Sequence, residues 1–351
     1  MTLYLCLDGG GTKTTAVIAF VSNSSTPSSF VRGEAGPSNL TQNGPEICMA
    51  ALTLATASAL SRLASPPAFP PTASSASSSD VQKRPVFRRI WAGIAGCARP
   101  PDYALLRPLL QNLFPGSDVR LTGDGELLTA PIYSTPHLDL VTLISGTGSL
   151  ALRWHRSSTS ERVAQVSREG GWGFLLGDEG SGWSLGREGI KSVLTAMANH
   201  RDLLPWHRDI LRRFNVEGEP HRLLASLTTL DPTLPVAEAD SERKKRIAAC
   251  TKHVVLAAQE GDEEASKAVK RVALEVVELL RPLVETTKSK DELEETILVV
   301  GGGLGGVDLF WDQVALGMKN RGWRWASIER ISDAALEGVK VIMDDRTWIG
   351  D

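Results

Sequence analysis

Asp8 heads the run Asp8-Gly-Gly-Gly-Thr12-Lys-Thr14, and the apolar residues Leu3 to Leu7 lead directly into it. A strand that ends on such a turn can bring backbone N–H groups against phosphate oxygens, because glycine has no Cβ to hold the oxygens away. Gly10 and Gly11 would form that cradle, Thr12 and Thr14 would add hydroxyl donors, and Asp8 would hold Mg2+ through water. The segment is not a P-loop, since G-x-x-x-x-G-K-[ST] cannot be laid over it. Taken alone it is also compatible with an ordinary hairpin turn.

Further glycine-rich segments recur along the chain. Gly123-Asp124-Gly125 places an acid where a short strand, Val119 to Thr122, passes into a helix read over 127–132, the usual place for ligand groups in α/β folds. A plain N-cap aspartate is the alternative. Ile144-Ser-Gly-Thr147-Gly-Ser149 repeats the strand, turn and return strand about 135 residues after the first, which suggests two related halves. Gly170-Gly171-Trp172-Gly173 and Leu176-Gly-Asp178-Glu179-Gly-Ser181 crowd one tryptophan and two acids with glycine. That composition is costly in backbone entropy, and a close-fitting ligand would explain it, although Trp172 could be a core anchor and Glu179 a helix-start charge. Val300-Gly-Gly302-Gly303-Leu-Gly-Gly306 satisfies G-x-G-x-x-G, but no strand ending in an acid follows it at the dinucleotide spacing, so the turn is read as packing on a nucleoside.

The elements needed to position these groups are legible in outline. Strands are expected at 14–20 and 30–36 after the first, then a helix from Pro45 to about Leu63 with Asn43 before it. Residues 65–80, mostly Pro, Ala and Ser, read as a surface insertion. A buried strand at 88–94 is followed by a helix striped with Leu106, Leu109, Leu110 and Leu113, and later come strands 140–144, 150–154 and 297–300 with helices from Trp183 and Asp308. The 351 residues, 42% hydrophobic, suffice for two domains. A net charge of -3, from 38 Lys and Arg against 41 Asp and Glu, gives no basic field for nucleic acid or an anionic membrane. Four scattered cysteines and six histidines show neither C-x-x-C nor H-x-x-x-H, which argues against a zinc site and for a reducing compartment. No run approaches a membrane span, so a soluble, cytoplasmic protein is expected.

The order Asp8-Gly-Gly-Gly-Thr-Lys-Thr, Gly123-Asp-Gly, Ile144-Ser-Gly-Thr-Gly-Ser149, Gly170-Gly-Trp-Gly with Leu176-Gly-Asp-Glu-Gly-Ser181, and Val300-Gly-Gly-Gly303 resembles N-acetylglucosamine kinases of the BadF/BadG/BcrA/BcrD ATPase type, within the sugar kinase, Hsp70 and actin superfamily. The resemblance spans nearly the whole chain, and the GGWG and LGDEGS pair is its most particular part. It implies an α/β protein of two ribonuclease-H-like, actin/hexokinase-type domains, 1–134 and 135–331, with an interdomain nucleotide cleft and a helix within 332–345 packing back on the first. ATP and Mg2+ are the implied cofactors. Asp124 matches the catalytic base, Asn39 a sugar-hydroxyl ligand, and Gly171, Trp172, Gly173 and Asp178 the sugar-binding element. Thr12 and Thr147 match phosphate contacts, Gly302 and Gly303 the surface for adenine and ribose, and Asp8 the holder of metal-bound water. The implied reaction is phosphorylation of N-acetyl-D-glucosamine at its 6-hydroxyl, the alternatives being a BadF-type ATPase or a kinase of N-acetylmannosamine or glucosamine. An amino-sugar substrate is expected, with no nucleic acid or membrane partner, in an assembly compatible with a homodimer. The chain departs from the family at Leu150, where asparagine is frequent, at Ser332-Asp-Ala-Ala, which replaces a Gly/Ala-rich helix start, and at the insertion. It also lacks the clustered cysteines of the ATPase activators and the Cys-rich metal loop of the zinc-containing glucokinases. A sensor that kept the fold without catalysis is disfavoured by the joint presence of Asp8, Asp124 and Asp178.

Overall fold

The computed structural model describes residues 2–21, 29–70, 85–158, 163–285 and 290–344. Its chain divides into two compact units. The first comprises 1–136, 157–162 and 333–351, and the second 137–156 and 163–332.

The first unit is built on β1 (Thr2–Gly9), β2 (Thr14–Val21), β3 (Ser29–Ala35), β4 (Arg89–Ile94) and β5 (Asp118–Thr122), in the spatial order β3-β2-β1-β4-β5. The first three strands form an antiparallel meander, and β4 and β5 join in parallel. The central position of β1 explains its apolar run: Leu3 to Leu7 are all buried, as are the six residues of β4, because helices cover both faces. On one face these are α1 (Leu40–Leu60) and α2 (Pro100–Leu113), packed on Leu5 and Ile90; on the other, a helix that follows the second unit packs on Cys6 and Trp91.

The second unit repeats the arrangement with β6 (Asp139–Ser145), β7 (Ser149–Arg156), β8 (Val163–Gly170), β9 (Thr296–Gly301) and β10 (Ser327–Arg330), in the order β10-β9-β6-β7-β8. The helices α3 (Gly182–Ala198), α4 (Pro205–Arg213), α5 (Leu223–Thr228), α6 (Val236–Ala248), α7 (Thr251–Gln259), α8 (Glu263–Glu285), α9 (Lys290–Glu294) and α10 (Asp308–Asn320) belong to it. Finally α11 (Ala334–Met343) returns to the first unit, where Gly338 rests on Cys6 so closely that a Cβ would stand 2.6 Å from the sulfur. Arg89 of β4 donates to the Ile342 carbonyl at 3.2 Å and ties the end of this helix to the sheet.

Three local expectations are revised. Helix α1 begins at Leu40 with Asn39 as its cap, not at Pro45; Gly44 (φ 75°, ψ 170°) and Pro45 then break the ladder, so the expected start is the start of its second piece. The segment after Asp124 is a 3-10 helix running from Asp124 to Ser134, with Pro131, which has no N–H to give, inside it. Within the insertion, Phe69 stacks on Phe114 at 5.7 Å and joins the edge of the core, whereas 71–80 lies outside the described residues. Among the described residues no helix is long and apolar enough to cross a membrane.

Helix α1 crosses β3 at Gly33, where a Cβ would stand 2.2 Å from both the Ala55 carbonyl oxygen and the Ala59 nitrogen. Those are backbone atoms and cannot rotate away. Gly33→Ala is therefore expected to destabilise the first unit by about 2–3 kcal/mol, read as a lower urea midpoint for that unit's transition. An unchanged midpoint would refute the close helix–strand contact.

Candidate functional site

Between Gly9 and Thr14, which pair across the hairpin, the first glycine turn is closed by a single bond from Gly10 N to the Lys13 carbonyl at 3.0 Å. Among the described residues the amides of Gly11 and Thr12 have no protein acceptor, and Thr12 is exposed. The turn thus offers two N–H groups to an anion. Thr14 is a correction: it is fully buried, and its hydroxyl is hydrogen-bonded to the Gly36 carbonyl and to Ser38 Oγ, each at 2.8 Å. It pins the turn to the 36–38 segment and is not available to phosphate. Ser38 N donates to the Gly10 carbonyl at 3.0 Å and completes that support.

Asp8 is the penultimate residue of β1, just before the turn, half-buried. Burial, then the nearby carboxylates of Asp124 and Asp333, push its pKa from 3.8 to about 7, against the pull of Lys13 and Arg32. The sequence reading included Asp8 and Asp124 but missed Asp333, whose segment stood out only as a departure from the family's helix start. The Ser-Asp-Ala pattern is itself a cap signal: Asp333 Oδ1 accepts from Leu336 N at 3.0 Å, and its carboxylate pairs with Arg32. Among the described residues no group of three or more His, Cys, Asp or Glu side chains is arranged to hold a metal ion. A desolvated carboxylate with two like neighbours nevertheless suits a hydrated cation, which would relieve their repulsion.

Asp124 is the first residue of its 3-10 helix, and Gly123 holds the cap position. Arg120 braces this helix at two points. Glu126 accepts from Arg120 of β5 at 2.7 Å, and the same guanidinium reaches Tyr133 Oη at 3.1 Å while lying 4.4 Å over the Trp91 ring. Asn39 uses its carbonyl oxygen to cap α1, accepting from Gln42 N at 3.1 Å, which leaves its NH2 group 3.9 Å from the place a Gly11 Cβ would take. Asp8, Gly10, Gly11, Thr12, Asn39 and Asp124 therefore share the first unit.

The second unit carries Thr147, Gly171, Trp172, Gly173, Asp178, Gly302 and Gly303. Its turn is closed by Gly146 N to the Gly148 carbonyl at 2.9 Å, and among the described residues the amides of Thr147 and Gly148 again have no protein acceptor. Gly302 (φ 92°) lies against this turn, where a Cβ would meet the Ser145 carbonyl at 2.5 Å; Gly303 faces open space. Gly170, Gly171 and Gly173 all hold positive φ, and Trp172 is 60% exposed, so it is no core anchor. Arg168 lies 5.2 Å over its ring and donates to the Gly171 carbonyl at 3.0 Å. Leu150, the departure from the family pattern, sits against Gly171, whose Cβ would meet it at 3.0 Å. Asp178, expected among the sugar contacts, is 3% exposed and turned onto the turn itself, accepting from Ser149 N at 3.1 Å.

No family model matches the chain. Over 224 residues it is 23% identical to the N-acetylmuramic acid/N-acetylglucosamine kinase of Clostridium acetobutylicum, covering 64% of this chain and 67% of that one. Over 195 residues it is 27% identical to the N-acetyl-D-glucosamine kinase of Dictyostelium discoideum, covering 55% and 54%. The match thus spans about half to two-thirds of these relatives' length. Among solved structures, a candidate N-acetylglucosamine kinase from Chromobacterium violaceum superposes with a TM-score of 0.61 at 20% identity, over 97% of this chain and 98% of that one. The chain has that protein's fold. A second candidate N-acetylglucosamine kinase, from Porphyromonas gingivalis, superposes at 0.56 with 18% identity, over the same shares of the two chains.

The raised pKa of Asp8 has a stability consequence. The folded state holds this proton up to about pH 7 while the unfolded chain releases it near 3.8, so the wild type loses stability as pH rises through that window. Asp8→Asn cannot ionise and escapes the loss. The urea midpoints of wild type and Asp8→Asn are expected to be closest below the window and to separate above it, with the variant the more stable; a pH-independent difference would contradict the assignment.

Proposed function

We propose that this chain is an ATP-dependent kinase of N-acetyl-D-glucosamine, transferring the γ-phosphoryl group to the sugar's 6-hydroxyl to give N-acetylglucosamine 6-phosphate and ADP. The observation that carries the reading is Asp124: a carboxylate at a strand-to-helix junction, near enough to Asp8 to raise its pKa, in the unit that holds a glycine turn with two uncommitted amides. The names of the curated relatives support an amino-sugar substrate. Four buried, free cysteines accord with a reducing cytoplasmic setting.

In this reading Asp124 accepts the proton of the 6-hydroxyl as its oxygen forms a bond to the γ-phosphorus. Proton removal comes late because a sugar hydroxyl is a weak acid, and positioning supplies much of the remaining rate. The amides of Gly11 and Thr12 and the Thr12 hydroxyl receive phosphate oxygens, and the second turn offers Thr147 and Gly148 for the same purpose. Asp8 would hold Mg2+ through water, and the cation supplies charge neutralisation on the phosphates. The NH2 group of Asn39 is placed to donate to a sugar hydroxyl, and Gly171, Trp172 and Gly173 provide an open, ring-faced surface for the pyranose. Gly303, which faces open space, would leave room for the nucleoside, and Gly302 lets the chain pass close against the second turn.

ADP release is expected to depend on N-acetylglucosamine and to be slower with N-acetylmannosamine, then glucosamine; release no faster than with water alone would end the kinase reading. Asp124→Asn is expected to lower kcat by ~10²–10⁴-fold with nucleotide affinity nearly intact. Steady-state kinetics beside an equilibrium nucleotide titration checks this, and near wild-type turnover in the folded variant would leave the reaction without its base.

A further inference from the structure

The second glycine turn rests on a short stack of side chains that the nucleotide reading leaves without a role. Asp178 is one of three described non-glycine residues held at positive φ (65°), and that backbone aims its carboxylate at the turn. One oxygen accepts from Ser149 N at 3.1 Å, and the other faces Lys244 Nζ of α6 at 2.7 Å. Gly148 puts nothing between this pair and the turn: a Cβ there would stand 2.5 Å from Asp178 Oδ1 and 3.0 Å from Lys244 Nζ. Around it, Ser145 Oγ donates to the Gly180 carbonyl and Ser149 Oγ to the Glu179 carbonyl, each at 2.6 Å, while Gly182 N donates to the Gly146 carbonyl at 2.7 Å. The turn's carbonyls and the flanking Ser145 and Ser149 hydroxyls are bound, and among the described residues the amides of Thr147 and Gly148 are left over.

A carboxylate directly behind those two amides is a liability for an anion site. Unneutralised, Asp178 would repel bound phosphate through a poorly screening interior. Lys244 cancels that charge and holds the carboxylate where it accepts from Ser149. We propose that Lys244 is a positioning residue for nucleotide binding: by pairing with Asp178 it sets the shape and the electrostatic balance of the second phosphate turn. The identity of the ligand rests on the kinase reading above, but the pair and its contact with the turn do not.

The test is an equilibrium titration with the non-hydrolysable nucleotide AMPPNP and Mg2+, beside KM for ATP and for N-acetylglucosamine, on the full chain. Lys244→Met strands a buried carboxylate and is expected to weaken nucleotide binding and raise KM for ATP by roughly tenfold or more, leaving KM for the sugar nearly unchanged. Lys244→Arg keeps the charge and is expected to restore most of the affinity. Asp178→Asn combined with Lys244→Met removes the stranded charge and is expected to bind nucleotide more tightly than Lys244→Met alone. Lys244→Gln, which also removes the charge, takes the place of the methionine variant in these comparisons if the latter does not fold. Nucleotide affinity unchanged by Lys244→Met, a parallel loss for nucleotide and sugar, or a double variant no better than the single would each overturn the proposal. A wild-type chain that binds no nucleotide would overturn the kinase reading as well, a failure visible before any variant is made.

Discussion

A hairpin turn can commit its backbone amides to closing itself or leave them for a ligand, and both glycine turns of this chain do the second. Each is closed by one internal bond, Gly10 to Lys13 and Gly146 to Gly148, so each must take its rigidity from elsewhere. In the first unit it comes from Thr14 and Ser38, in the second from Ser145, Ser149, Asp178 and the start of α3. An amide without a partner is tolerable only where water or an anion reaches it, which keeps these turns at the surface while everything behind them is tightly bonded. The exposure of Thr12 beside the burial of Thr14 is that division in miniature.

Charge imposes the complementary condition. Three carboxylates, Asp8, Asp124 and Asp333, gather near the first turn, where a polyanion would otherwise be repelled. Arg32 engages Asp333, and Lys13 engages Glu34 at 2.9 Å, so the nearby cations are already partly occupied. What remains is a site where protons and cations compete for the same oxygens. In the second unit the balance is built in, since Asp178 has its own lysine.

Strands and glycine turns were legible in the sequence because their signals are local: an apolar run followed by Gly-Gly-Thr or Ser-Gly-Thr-Gly is complete within a dozen residues. Contacts between distant segments were not. Asp333 comes near Asp8 only when α11 docks, and Lys244 meets Asp178 only because the packing of α6 brings it there; neither has a spacing that could announce it. Nor does composition reveal which of two threonines in one turn faces inward, or that the glycines around Trp172 leave it 60% exposed. At Asn39 a stronger local signal hid a weaker one, because Asn43 before Pro45 and Glu46 looks like a helix start and masks the single turn before it. At Asp124 the helix type was missed because Pro131 was not weighed as an obstacle to the α-helical ladder.

Helix α11 gives the first unit an unusual dependence on biosynthetic order. Its strands occupy the beginning of the chain, but their cover over Cys6, the partner of Arg32 and the carbonyl that Arg89 binds all arrive after residue 332. A nascent chain on the ribosome therefore holds the earlier part of this unit without its last helix while the whole second unit is made. The second unit has no such debt, since all its strands and helices precede Asp333 and it can close first. The unit whose strands come earlier in the sequence is thus the one whose last helix is made later, against the usual N-to-C completion of domains.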